Sequence, residues 1–263
     1  MKAYLYVAKI RIQTALTYRF DMISTILVQC IVMFAISYFW IAAYGGMESV
    51  LDISKKSMLT YATISILMGN LLTMNVQYRI VDSIRNGNVA LDILKPVNVY
   101  GIYMAEDIGD AINAFCQKVV PLLIISTIMF GFPKASSGVN FILFLVSFIM
   151  AYLINWLLAA LMGLCAFQTL SMGPMMAVKG YIIKLLSGSF IPLWFFPQEL
   201  QNVLECLPFV GIYQVPLGIY IGKYTVENMV FRMGIQLIWV LVLLVGFIAL
   251  QKKMAEKVLI QGG

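Results

Sequence analysis

The sequence predicts an all-α integral membrane protein: a six-helix transmembrane bundle with an N-terminal interfacial helix, an amphipathic cytoplasmic helix and re-entrant helices on the outer side. Three observations predict it. Of 263 residues, 62% are hydrophobic and only 11% are charged, against about 25% charged in a soluble domain. So little charge cannot clothe a water-facing surface of this size. Uncharged apolar runs of the length that crosses a bilayer, roughly 20 residues, recur along the chain with short polar or turn-rich connections. Lys and Arg are distributed unevenly among those connections, as the positive-inside bias of membrane proteins requires.

In chain order, residues 1–20 carry Leu5, Ala8, Ile12, Ala15 and Leu16 at helical spacing, with Lys2, Lys9 and Gln13 beside the stripe. Such a helix lies in the membrane interface. The first span is 22–44, stopped by Gly45-Gly46, and a polar loop with Glu48, Asp52, Lys55 and Lys56 leads to the second span, 57–77. Segment 78–96 differs. Arg79, Asp82, Arg85 and Asn86 share one helical face, Ile80, Ile84, Leu91 and Leu94 another, and Lys95-Pro96 closes it. It is an amphipathic surface element rather than a span. A second polar stretch holds Glu106, Asp107 and Asp110, read as acids at a cytoplasmic helix N-terminus, where the dipole favours them. Spans three to five are 111–132, with a kink expected at Pro121, 139–167 and 175–190. Residues 191–228 are apolar yet broken by Pro192, Pro197, Pro208 and Pro216, so no uninterrupted helix of spanning length fits there. Two short helices dipping into the outer leaflet do fit, provided protein or a cavity covers their backbone. The last span is 229–250.

With the N-terminus in the cytoplasm, 13 of the 18 Lys and Arg fall on inner segments and 5 on outer ones (Lys55, Lys56, Lys134, Lys223 and Arg232). Both termini are therefore expected inside, segment 78–96 in the cytoplasm and the proline-broken region outside. The net charge of +6 has the same origin, because no basic stripe interleaved with aromatics marks a nucleic-acid groove. Cys30, Cys116, Cys165 and Cys206 are scattered and no histidine is present, which argues against a disulfide framework or a zinc site. The N-terminus does not read as a cleavable leader.

Two stretches carry a family resemblance. Leu91-Asp92-Ile93-Leu94-Lys95-Pro96 followed by Tyr100, and Leu186-Ser187-Gly188-Ser189-Phe190-Ile191-Pro192 followed by Phe195-Phe196-Pro197, Leu207-Pro208, Pro216 and Gly222, resemble the corresponding stretches of ABC-2 type transporter permeases. The resemblance extends in architecture over nearly the whole chain, 1–263, as a single transmembrane domain. It implies the permease of an exporter for an amphipathic or hydrophobic compound (a drug, a peptide antibiotic or a lipid). It further implies a separate ABC ATPase carrying ATP and Mg, and a second permease, identical or different.

The residues agree with a non-enzymatic role. The phosphate-cradling pattern GxxxxGK[ST] does not occur; Gly218 to Tyr224 comes nearest, with the wrong spacing and Tyr in place of Ser/Thr. An ATPase acting from outside must push on something rigid. Segment 78–96 is therefore the expected coupling helix, with Arg79, Asp82, Arg85 and Asn86 meeting the ATPase and Ile80 and Ile84 fixing the helix to the bundle. Asp92, Lys95 and Pro96 belong to the same element. Ser187, Gly188, Pro192, Phe196, Pro197, Pro208 and Pro216 are the expected outer gate. Lys184, deep in the fifth span, reads as a cavity charge or as a snorkelling or ion-paired lysine, and Ser187 three residues on raises a Ser–Lys nucleophile. The alternative function is an ion- or proton-coupled secondary transporter, weakened by the absence of a deep acid or histidine relay. A membrane-embedded hydrolase would need metal ligands or a nucleophile constellation that the sequence lacks.

Overall fold

A computed structural model of the chain describes residues 2–15, 19–88, 97–165 and 173–261. Helices dominate because lipid offers no partner to a backbone N–H or C=O, so each apolar run must satisfy its own. Helix α1 spans Lys2–Ala15 and α2 Arg19–Tyr44. Gly45 and Gly46 follow at positive φ (53° and 90°) and end α2. A minimal hairpin, β1 (Ser49–Val50) and β2 (Ile53–Ser54), turns the chain back. Helix α3 (Lys55–Leu71) then starts on Ser54, whose hydroxyl accepts from the Ser57 amide. After a break at 72–75 comes α4 (Val76–Arg85).

Helix α5 (Val99–Ala114) begins at Asn98, whose side chain caps the amides of Tyr100 and Gly101. It continues through one π-helical turn, Phe115–Val119, into α6 (Val120–Phe130). The wide turn sits just before Pro121, which lacks an N–H and crowds the carbonyl four residues back; adding a residue to the turn relieves both. Helices α7 (Gly138–Cys165), α8 (Gly173–Leu186), α9 (Gln198–Glu205), α10 (Gln214–Tyr220) and α11 (Val226–Gln261) complete the chain.

Among the described residues, five stretches are long and apolar enough to cross a membrane: Ile23–Tyr44, Lys55–Arg85, Val99–Phe130, Gly138–Cys165 and Val226–Met254. Gln198–Glu205 and Pro208–Tyr220, bent 79° to each other, make a sixth if taken as one broken span. Several boundaries differ from the sequence expectation. The second span breaks at 72–75 rather than after Gln77, so Val76 and Gln77 open the next helix. The third helix begins at Val99, a full amphipathic stretch before residue 111. Helix α8 has 14 residues, short of the roughly 20 needed to cross alone, and the residues preceding it, 166–172, lie outside those described. The last helix runs on past residue 250 to Gln261.

The core sits between α3, α7 and α10. All seven residues of α10 are buried, so this proline-bearing segment is wrapped by protein, the only setting in which irregular backbone is stable at membrane depth. Small residues let helices approach closely: a Cβ on Gly163 of α7 would stand 3.1 Å from Ile80 Cβ of α4. A Cβ on Gly109 of α5 would stand 2.9 Å from the Ala8 carbonyl oxygen of α1. The residue Ala8, expected on the apolar stripe, thus packs on α5, and among the described side chains of α1 Tyr6 and Ile10 are large apolar ones that are exposed. Large exposed apolar residues such as Leu27 and Ile31 on α2, Ile142 and Ile149 on α7, and Val245 and Ile248 on α11 face outward, as lipid-contacting helices require.

Candidate functional site

Among the described residues, the end of the bundle that carries α4 is densely bonded. Helix α5 puts Tyr103, Glu106, Asp107 and Asp110 on one face, the i, i+3, i+4, i+7 spacing of a single helical stripe. Arg79 of α4 reaches into that stripe. Its Nε lies 2.7 Å from Glu106 Oε2 and its Nη2 3.0 Å from Asp110 Oδ2, while Nη1 binds Asp107 Oδ1. The Asp107 carboxylate is fully buried, and the Arg79 side chain is 14% exposed. Asp107 also accepts from the backbone amides of Asn75 (3.1 Å) and Val76 (3.2 Å) and from Trp156 Nε1 of α7 (3.1 Å).

Those two amides open α4, where the Asn75 side chain makes no cap of its own. The first amides of a helix have no partner within it. Here a carboxylate from another helix supplies one, with the dipole in its favour. Asn75 Nδ2 donates to Asp110 Oδ2 at 3.2 Å, and Arg11 Nη2 reaches Glu106 Oε1 at 3.1 Å. Four helices, α1, α4, α5 and α7, are therefore joined through one ionised cluster. Beside it, Asn155 Nδ2 caps the open carbonyl of Leu72 at 2.7 Å.

The structure corrects the reading of Arg79. It does not share the outward face of Asp82, Arg85 and Asn86, which are exposed; it is turned inward because three carboxylates await it on α5. It also corrects the acids. Glu106, Asp107 and Asp110 lie within α5 rather than at a helix start, and they bind arginine. Ile80 is buried against α7 and Ile84 is half-buried. Asp92, Lys95 and Pro96 lie outside the described residues.

At the opposite end, neutral groups do most of the joining, beside one ion pair between Glu205 of α9 and Arg232 of α11 (2.8 Å). The Gln214 side-chain oxygen accepts from Tyr61 Oη of α3 (3.0 Å) and from the Leu193 amide (3.1 Å). The Tyr61 hydroxyl also lies 2.6 Å from the Gly188 carbonyl, and the Gln214 amide donates to the Ser187 carbonyl at 2.9 Å. Gly188 has φ +79°, and a Cβ there would meet Gln214 Oε1 at 2.4 Å, so both backbone and space demand glycine. Gln236 of α11 bridges Ser147 and the Gly211 carbonyl, and Asn140 Nδ2 holds the Ile219 carbonyl at 2.7 Å.

Of the expected gate residues, Ser187, Gly188, Pro192, Pro208 and Pro216 are buried, Phe196 is half-buried and Pro197 is exposed. The Ser187 hydroxyl has no hydrogen-bond partner, so the Ser–Lys pair does not form. Lys184 lies in the last turn of α8, exposed, its ammonium 6.0 Å from the Phe190 ring centroid. The inward lysine of that helix is Lys179, 2.5 Å from Gln77 Oε1 and within electrostatic reach of Asp107. Sequence reasoning singled out Lys184 and passed over Lys179. The usable signal was Gln77, a side-chain amide in the first turn of α4.

Crossing-length helices, an amphipathic helix fastened across the bundle by buried charge, and a bent helix pair whose second member is buried at the far end define a multi-pass membrane transport subunit. A family model described as "ABC-2 family transporter protein" matches residues 6–257, and the chain belongs to that family. It is thus an ABC transporter permease, of a family whose membrane subunits partner an ABC ATPase and are generally non-catalytic themselves. No curated protein matches the chain.

Proposed function

We propose that this chain is the membrane-crossing subunit of an exporter that moves an amphipathic or hydrophobic compound, such as a drug, a peptide antibiotic or a lipid, across the cytoplasmic membrane. Both termini lie in the cytoplasm. ATP and Mg are bound by a separate ATPase chain, and a second permease, identical or different, completes the pathway.

The observation that carries this reading is the two-sided character of α4. One face presents exposed Asp82, Arg85 and Asn86. The other is pinned by Ile80 against α7 and by Arg79 and the α4 amides against α5. A push on the exposed face passes into two crossing helices instead of being absorbed by a loose loop, because ionised groups at contact distance resist separation far more than apolar contacts do. The buried helix α10 and the segment 187–197 then act as the outer gate, entering the membrane from outside without crossing it.

The reading is tested by purifying the tagged chain and by reversing charges on α4. An ATPase chain should co-purify in fixed ratio. Asp82→Arg combined with Arg85→Asp should leave ATP hydrolysis running while export stops. Unchanged coupling between the two would remove the role of α4.

The secondary-transporter alternative would need a titrating acid, and Asp107 is the buried one. Four donors already point at its two oxygens (the Asn75 and Val76 amides, Arg79 and Trp156). All four lone-pair positions are taken by donors, an arrangement that favours a structural fastener over a proton shuttle.

A further inference from the structure

Where α2 ends, α3 begins and α6 ends, a cavity of about 190 Å³ opens, lined among others by Glu48, Lys55, Lys56, Thr60, Thr63 and Phe132. Three helix ends meeting there place it at the boundary between the apolar core and water. Neither lysine is ion-paired among the described residues, and Glu48 is the one acid in the lining, so the cavity carries a net charge of +1 (two cations less one anion). Both lysines occupy the first turn of α3, which holds no acid. That is the positive end of the helix dipole, where cations are disfavoured and anions stabilised. Below them Thr60 and Thr63 are 8% and 3% exposed, and neither hydroxyl makes a hydrogen bond among the described residues. Both residues line the basic cavity, so their unbonded hydroxyls are free to bond whatever occupies it. Leu59 and Phe130 extend the wall as an apolar surface.

We infer that this cavity binds an anionic amphiphile, with a phosphate or carboxylate headgroup against Lys55, Lys56, Thr60 and Thr63 and an apolar tail along Leu59, Phe130 and Phe132. The ligand is either a bilayer lipid or the exported compound itself. The site stands apart from the ATPase-coupled reading, which it needs only for the second of these sources.

The test uses the purified chain in phosphatidylcholine nanodiscs, titrated with spin-labelled dodecyl phosphate. Wild type should immobilise the label, and the Lys55→Gln/Lys56→Gln variant should bind at least about tenfold more weakly, since two charge-assisted bonds are lost. Thr60→Val/Thr63→Val, which keeps side-chain volume and both charges, should fall between them. A spin-labelled dodecyl trimethylammonium should not be immobilised. Equal binding by wild type and both variants, or equal binding of the cationic label, overturns the inference. Because no ATPase is present, that failure leaves the permease reading untouched. In the complex with the ATPase, displacement by phosphatidylglycerol regardless of ATP identifies a resident lipid. Release of the label only on ATP addition identifies cargo.

Discussion

Around Arg79, helices α1, α4, α5 and α7 are joined by two arginines and three carboxylates, whereas around Gln214 and Gln236 the joining falls to amides, hydroxyls and backbone carbonyls. Both places solve one problem, how to hold a broken helix against a bundle. At 72–75 the break is closed by charge, and at 187–213 mostly by neutral groups, with one half-exposed ion pair, Glu205–Arg232, at its edge. Desolvating an ion costs several kcal/mol, so a charged fastener belongs where headgroups and water begin. A neutral hydrogen bond costs less to bury and suits the apolar interior. The two ends also differ in completeness. Every carboxylate of the charged cluster is bonded, and one hydroxyl beside it, Tyr152 Oη, is buried without a partner; Ser187 Oγ, Trp194 Nε1 and Trp40 Nε1 are buried without partners around the neutral one. Unsatisfied groups lower the cost of rearrangement, because movement there exchanges orphaned groups for paired ones. On the proposed reading, the charged end transmits force and the neutral end changes shape.

This contrast can be broken by stability measurements on the purified chain. The largest effect is expected for Asp107→Ala, which leaves Arg79 partly unpaired and uncaps α4. Removing one partner of a buried pair costs about 3–5 kcal/mol, read as a large drop in unfolding temperature in detergent and a loss of ATP-driven export. Gln214→Leu should cost less, about 1–3 kcal/mol for stranding the Leu193 amide and one bond of Tyr61, with no dependence on ionic strength. The smallest effect is expected for Arg11→Gln. The Arg11 side chain is 41% exposed, and pairs of that kind contribute about 0–1 kcal/mol, fading as salt is raised. Comparable losses for Asp107→Ala and Arg11→Gln would show that the cluster is an ordinary surface network. A salt-sensitive Gln214→Leu would erase the distinction between the ends.

Some of the site was legible in the sequence. The amphipathic pattern of 78–96 places an exposed charged face at Asp82, Arg85 and Asn86, and these are exposed. The same pattern assigns Arg79 to that face and is wrong, because periodicity assigns a side chain to a sector of its own helix and knows nothing of the helix beside it. Acids at 106, 107 and 110 were visible, but their bond to Arg79 joins positions about 30 apart. The break at 72–75 contains neither Pro nor Gly; it forms where Asp107 and Asn155 supply the partners that helix termini lack. Lys184 and Lys179 look alike in sequence, and only the packing of α8 decides which one turns inward.

By itself the sequence determined that this is a helical membrane protein, because crossing a bilayer is close to a one-dimensional property: run length, charge sparsity and Lys/Arg placement are read without knowing any neighbour. The tertiary structure alone decided which charges meet and which polar groups stay unpaired. It also decided which part of the proline-rich stretch is buried: α10 in full, and of α9 only Leu204. Those outcomes depend on contacts between residues distant in the chain, and in a low-dielectric interior a charge or an amide is stable only once such a partner has arrived.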